Sequence, residues 1–349
     1  MADIDRVLRS NLKLRRLQLL VALDQFRHLG NAAEFLLLTQ PAVSKTLAEV
    51  ERMMGAQLFN RSTRGTEPTS QGDVVVRFAR GVLADYQRAQ EEMQAVADGG
   101  VGRVSVGSMV VATPGLLVAA VRRLKQRSPL TNVLTEEGDL TRLLPRLRVG
   151  ELDLIVGRLE PGYASPDLDT QALYDEAMRI VVYRSHPLAQ RRKRPTWAEL
   201  AALPWVMPPP WASSRIKLNQ QFYRHKLTPP ANIVETASFM ATFAFVRDLS
   251  AVGFVAQDVA RHFEAEGLHV LPIAVPIELP PVGIISLRAR TRTPAARLMV
   301  ECLEAVAAER EAKGSHAGSR VKPPASDPLE AHVSAPVNRR RGSRPSTTT

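Results

Sequence analysis

The stretch TQPAVSKTLAEVERMMGAQLFNRSTRG, residues 39–65, limits the possible folds more than any other part of the chain. Thr39 or Gln40 can cap a helix, and Pro41 suits its first turn because the missing N–H would have had no partner there. At about 100° per residue, Val43, Leu47, Val50 and Met54 fall in one narrow stripe, so that side packs inward. Pro41, Lys45, Ala48 and Arg52 lie opposite, with Ser44 on the flank. The outward face thus offers a hydroxyl, a cation and a small side chain near the helix start. Taken alone, this helix is read equally well as a solvated polar surface or as a recognition face.

The neighbouring residues shift that balance. HLGNAAEFLLL (28–38) reads as a short helix with Ala32, Ala33 and Leu36 as packing positions, joined to the next helix by a tight turn near Leu37 and Leu38. Two short helices so joined make a helix-turn-helix, whose second helix can enter a DNA major groove with its N-terminal residues at the base edges. LRRLQLLVALDQF (14–26) supplies a third helix, with Leu17, Leu20, Val21 and Leu23 or Asp24 around its buried side. Leu58 and Phe59 begin a strand, and Arg61 and Arg64 bracket a Ser-Thr turn that reads as a basic wing. Three helices and a wing place phosphate-reaching groups beside one reading helix. Gln40, Pro41, Ser44 and Lys45 are therefore the candidate groove residues, and Arg61 and Arg64 the candidate wing contacts.

Residues 14–71 resemble the winged helix-turn-helix of LysR-type transcriptional regulators. The resemblance rests on Ala32-Ala33-Glu34, Thr39 through Lys45, Leu58-Phe59-Asn60-Arg61, Arg64-Gly65 and Thr69-Ser70-Gln71-Gly72. It implies that Arg64 reaches the minor groove or backbone and that Arg61 lies nearer the wing's support. Two departures stand out. His28-Leu29-Gly30 replaces the Ser-Phe-Thr usual before the second helix, and Lys45, which lacks a planar fork, stands where arginine is commoner.

From Gly72 to Ala97 the residues Val75, Phe78, Val82, Tyr86, Ala89, Met93 and Val96 recur in alternating steps of three and four, a heptad-like seam. This predicts a long linker helix that dimerises the chain, as the resemblance also implies, with a helix packed on its own domain as the alternative. Beyond Gly102 strands and helices alternate, which predicts an α/β domain with largely parallel sheets. The chain is expected to cross to a second lobe near Val181–Tyr183 and to return near Val282–Leu287. Pro145, inside a helical pattern, suggests a kink or two short pieces. The predicted organisation is a winged helix-turn-helix over 1–71, a linker helix over 72–98 and an effector domain over 99–310. Lobe I takes about 102–181 and 283–310, and lobe II about 182–282. Residues 311–349, rich in Pro, Ser and Arg, read as a disordered tail. The resemblance implies a two-lobed, periplasmic-binding-protein-like effector domain, with GELDLIVGRL (150–159) and SHPLA (185–189) as its marks.

A ligand is expected in the cleft at the carboxyl ends of the strands. Ser108, Met109 and Val110 end one strand, and Glu137, Gly138 and Asp139 end the next. Pro208 to Ser214, the helix start Ser238-Phe239-Met240 and a turn over Val252–Phe254 complete the edge. The resemblance carries Ser108 and Asp139 onto positions that commonly touch effector. Asp139 next to Glu136 and Glu137 disfavours an anion and suits sugar hydroxyls, while the Trp205 and Trp211 segments could cover a sugar ring. WVMPPPWASSR also resembles the branch of the family named for regulating a galactose-binding protein. A sugar or polyol effector is the expectation, an aromatic or dicarboxylic acid the alternative, and a simple cap at Asp139 the competing account.

With 45% hydrophobic and 23% charged residues, the 349-residue chain has the composition of an ordinary globular protein of two or more domains. The net charge of +11 favours a polyanionic partner. Double-stranded DNA, a small effector and further copies of the chain, as a dimer or a tetramer of paired dimers, are the expected partners. The single cysteine, Cys302, excludes an intrachain disulfide and fits a reducing, cytoplasmic location. The start of the chain has no apolar core of a signal peptide, and the uncharged run Val104–Val121 is broken by Pro114 and by glycines and serines around it, so no membrane span is expected. The seven histidines show no zinc-helix spacing, VGSMV is not a nucleophile elbow, and Gly99–Gly102 lacks dinucleotide spacing. No catalysis, metal or cofactor is expected. The remaining alternative is a small-molecule binding protein whose N-terminal domain is only an assembly module.

Overall fold

The computed structural model describes residues 13–62, 65–97 and 102–318. The chain divides into two units, Met1–Glu309 and Arg310–Thr349, and every described strand lies in the first.

Helix α1 (Leu14–Phe26) buries Leu17, Leu19, Leu20, Ala22 and Leu23, and ends at Arg27 in the left-handed region. Helix α2 (Leu29–Phe35) begins at His28, whose Nδ1 accepts hydrogen bonds from the N–H groups of Gly30 and Asn31. The imidazole thus does the work of a capping hydroxyl, so the departure at residues 28–30 leaves the helix start satisfied. Leu37, at φ 54° and 92% exposed, makes the tight turn. Helix α3 (Gln40–Met54) is capped by Thr39, carries Pro41 in its first turn and stops at Gly55 in the left-handed region. Its buried residues are Val43, Leu47, Val50 and Met54, the stripe the periodicity predicts. Strands β1 (Phe59–Ser62) and β2 (Gly65–Pro68) pair antiparallel as the wing. Helix α4 (Ser70–Ala97) closes this small core with Val76.

The rest of the unit is built on two five-stranded sheets. In chain order the elements are β3 (Arg103–Ser108), a π-helical turn (Thr113–Leu117) running into α5 (Val118–Arg127), β4 (Asn132–Glu137), α6 (Leu140–Arg148), β5 (Leu154–Arg158), β6 (Leu168–Tyr174) and β7 (Met178–Tyr183). Then come α7 (Pro187–Gln190), α8 (Trp197–Ala201), β8 (Trp205–Met207), α9 (Ser213–Arg224), β9 (Ile233–Glu235), α10 (Phe239–Asp248) and β10 (Val252–Ala256). The series ends with α11 (Gln257–His262), β11 (Leu268–Val270), β12 (Val282–Leu287) and α12 (Pro294–Gly318). The first sheet has the order β4-β3-β5-β12-β6 and the second β11-β7-β10-β8-β9.

Four expectations change here. The sheets are mixed: β4-β3-β5 and β10-β8-β9 are parallel, whereas β12 runs antiparallel to β5 and β6, and β7 antiparallel to β10 and β11. Strands that carry the chain between lobes enter each sheet from the opposite end. The first crossing lies at 175–177, before the expected Val181, because all of β7 pairs within the second sheet. Helix α6 is one continuous helix through Pro145 and not two short pieces. Helix α12 runs past residue 310 to Gly318; the remainder of the expected tail, 319–349, lies outside the described residues. Among the described residues no helix is long and apolar enough to cross a membrane.

Arginines tie α4 to its neighbours. Arg80 bonds Asp24 of α1 at 2.9 Å and Glu151 of the first lobe at 3.3 Å. Arg88 pairs with Asp153 at 3.0 Å and donates to the Gly150 carbonyl at 3.1 Å. Burial pushes the Asp153 carboxyl up, against the Ser105 N–H and Arg88 that favour its charged form.

Candidate nucleic-acid interface and effector cleft

On the outer face of α3, Gln40, Pro41 and Lys45 are exposed and Ser44 is half-buried. This arrangement follows from the inward stripe: with Val43 and Leu47 fully buried, Pro41 and Lys45 on the opposite side of the helix face out. Lys45 has no ion-pair partner among the described residues. Arg61 projects from β1 back over the helix and donates from Nη1 to Ser44 Oγ at 2.8 Å. Arg64 lies outside the described residues.

The two lobes meet through α11, which follows β10 and packs against the Thr113–Leu117 turn that comes after β3. Buried Arg158 pins both crossings, donating to the carbonyls of Pro280 and Glu176 at 2.9 Å each, and its burial pushes the guanidinium pKa below its usual value. Glu160 accepts from Ser213 across the lobes at 2.7 Å.

At the first-lobe edge, Ser108 is buried behind Thr113, its Oγ 2.9 Å from Thr113 Oγ1. Thr113 Oγ1 in turn lies 3.2 Å from Glu137 Oε2. Ser108 and Glu137 are therefore brought together, with Met109 and Val110 half-buried beside them. Met109 lies over Gly157, where an added Cβ would sit 2.5 Å from the sulfur. Thr113 is the residue the sequence alone missed; its signal was the Thr-Pro start of a helix directly after a strand.

Other expected cleft residues are engaged elsewhere. The Asp139 carboxylate caps α6, accepting from the Arg142 N–H at 3.1 Å and from the Thr141 hydroxyl, so the cap account describes it. Ser238 caps α10 through the Ala241 N–H, and Phe239 packs its ring 4.5 Å from that of Phe263. Val252–Phe254 is no turn: it begins β10, and Phe254 is 3% exposed and paired opposite Ile180. Pro208 directly follows β8, and its carbonyl accepts from Arg215, which also pairs with Glu235. Trp205 is fully buried, its ring against Phe222 and its Nε1 donating to the Leu200 carbonyl, which removes it as a sugar platform; Trp211 is exposed.

Residues 97–308 match the model of the LysR substrate binding domain, and residues 14–73 that of the bacterial regulatory helix-turn-helix protein, lysR family. The chain belongs to the LysR family of bacterial transcriptional regulators. It is similar to the HTH-type transcriptional regulator GbpR of Azospirillum brasilense, 31% identical across 95% of this chain and 96% of the relative. It is also similar to GalR of Pseudomonas putida, 29% identical across 84% and 74% respectively. Among solved structures, the LysR-family regulator CbnR superposes with a TM-score of 0.66 at 20% identity, covering 85% of this chain and 99% of CbnR. CbnR bound to its target DNA gives 0.65 at 20% identity over 84% and 100%. These are likenesses of fold. A LysR-family chain is a DNA-binding regulator and not an enzyme, which disposes of the assembly-module alternative.

Within this LysR-family chain α4 has two faces. Gly72, Val76 and Ala79 are buried, Gly72 and Val76 against the chain's own DNA-binding unit, and Val75 packs partly on the same core. Val82 is half-buried, while Val74, Phe78, Tyr86, Ala89 and Met93 form an exposed apolar stripe. Val74 lies outside the expected seam because a heptad count begun at Val75 skips it.

Proposed function

We propose that this regulator reads operator DNA with Gln40, Pro41, Ser44 and Lys45 in the major groove, flanked by the wing arginines Arg61 and Arg64. It acts in the cytoplasm as a dimer joined along the exposed stripe of α4, or as a tetramer of such dimers. The observation that supports the groove assignment is the exposure of this polar set opposite a fully buried stripe on one helix. Lys45→Ala is expected to weaken specific binding by about 1–3 kcal/mol, the range for one good base-edge contact. Titration of labelled operator against unrelated duplex measures it; unchanged affinity and preference would sink the assignment.

For the cleft we propose a neutral, polyhydroxylated effector such as a sugar or polyol. What supports it is the Ser108–Thr113–Glu137 group, a carboxylate and two hydroxyls at the carboxyl ends of β3 and β4. A carboxylate there accepts from ligand hydroxyls and repels an anion. Glu160 adds a second carboxylate near the junction of the lobes. Calorimetric titration of the full chain with monosaccharides and polyols, set against aromatic and dicarboxylic acids, decides between the two classes. Glu137→Gln should weaken sugar binding by about 1.5–3 kcal/mol, the loss of a hydrogen bond to a charged group. Tight binding of an acid with no sugar response would overturn the assignment.

A further inference from the structure

We propose that Arg61 is a positioning residue: it acts on the operator through Ser44, fixing that hydroxyl as a donor toward the base edges. The inference rests on the groove assignment above and gives Arg61 a role other than that of a phosphate contact.

The geometry begins at Glu51, on the same helix as Ser44 and two turns further on. Glu51 Oε1 accepts from the N–H groups of Leu58 and Phe59 at 2.9 and 3.1 Å, which locks the carboxylate at the root of the wing. Its other oxygen lies 3.9 Å from Arg61 Nη2. Held there, the guanidinium extends along α3 and places Nη1 2.8 Å from Ser44 Oγ. An arginine can only donate, whereas a serine hydroxyl has one proton to give and lone pairs to accept with. Donation from Arg61 occupies a lone pair of Ser44 and leaves its O–H pointing elsewhere. A hydroxyl so constrained favours acceptors: guanine N7 and O6, adenine N7 or thymine O4, over the amino groups of cytosine and adenine. A free serine would take either. The Glu51–Arg61–Ser44 chain therefore biases an ambiguous side chain toward donation, with one lone pair left over, and it exists because the wing folds back across its own recognition helix.

Selection of the full chain on a random duplex library tests this, with wild type, Ser44→Ala, Arg61→Leu, the double variant and Lys45→Ala read side by side. Arg61→Leu should relax base preference on the order of tenfold at the position that Ser44→Ala relaxes, and at no other. The double variant should show no further loss. The salt dependence of non-specific binding should match wild type, because no phosphate contact is removed. Glu51→Gln, which keeps an acceptor for the Leu58 and Phe59 N–H groups, should shift preference at the same position by less, and Arg61→Lys, which keeps a donor, should restore it. A salt slope shallower by about one unit with an unaltered preference profile would make Arg61 a phosphate contact and overturn the inference. So would losses from Ser44→Ala and Arg61→Leu that multiply in the double variant. A profile shift in Ser44→Ala that Arg61→Leu does not share removes only the positioning role. Unchanged profiles in Ser44→Ala, Arg61→Leu and Lys45→Ala alike remove the groove assignment itself.

Discussion

Gly72→Ala is expected to destabilise the DNA-binding unit and to weaken specific operator binding. Gly72 sits in the first turn of α4, where its N–H bonds Thr69 Oγ1 at 3.0 Å. A Cβ there would lie 2.0 Å from the carbonyl oxygen of Leu58, 3.0 Å from its carbon and 3.1 Å from Pro68 Cβ. The obstacle is backbone, so no rotamer change relieves it. Either α4 moves off the wing or the segment around Leu58 moves with it. The first option loosens the Gly72–Thr69 bond at the start of α4, and the second disturbs the two N–H groups that hold Glu51, and through Glu51 the far half of α3. Overpacking of this kind costs about 1–3 kcal/mol and occasionally more. In a domain of this size that lowers the melting temperature by roughly 5 °C or more. Thermal melting with operator titration reads both effects; wild-type values for both would show that the helix start yields without cost.

Phe78→Asp is expected to split the proposed dimer while leaving the subunit folded. Phe78 is 43% exposed on the stripe that includes Val74, Tyr86 and Met93, and it contributes nothing to the buried core of its own chain. A carboxylate placed in a buried, apolar helix seam is left without a partner, a penalty of several kcal/mol. Light scattering should then report the mass of one chain, with circular dichroism unchanged. Val76→Asp is the counter-test. Val76 is 5% exposed against the DNA-binding core, so a charge there should unfold that unit rather than separate chains. An undiminished mass for Phe78→Asp would place the interface elsewhere.

Much of the DNA-binding unit was legible in the residues. The spacing of Val43, Leu47, Val50 and Met54 is a property of the helix itself, and a 3.6-residue period dictates which face turns inward whatever covers it. The same holds for the strand–helix alternation beyond Gly102, which reported an α/β domain before any pairing was known. Strand direction was not legible, because antiparallel β12 and parallel β5 carry the same apolar pattern. Strand β6 went unread: LDTQALY has too few apolar residues to announce itself and is completed by hydrogen bonds to β12, more than a hundred residues away in sequence.

The candidate cleft shows the same division more sharply. An aspartate before a helix is a cap or a ligand contact on identical local sequence, and at Asp139 only the position of the Arg142 N–H decides. Trp205 and Trp211 look alike in the chain, yet Phe222 and the Leu200 carbonyl, both from neighbouring helices, claim the first and leave the second outside. Phe78 and Val76 both belong to an amphipathic helix, but which apolar side meets its own domain depends on where α1 packs. Periodicity thus determined which surfaces of this regulator had to be covered and which residue types lay beside them. Tertiary structure alone decided what covers them, because burial is settled by contacts between segments far apart in the chain, and no local pattern encodes its partner.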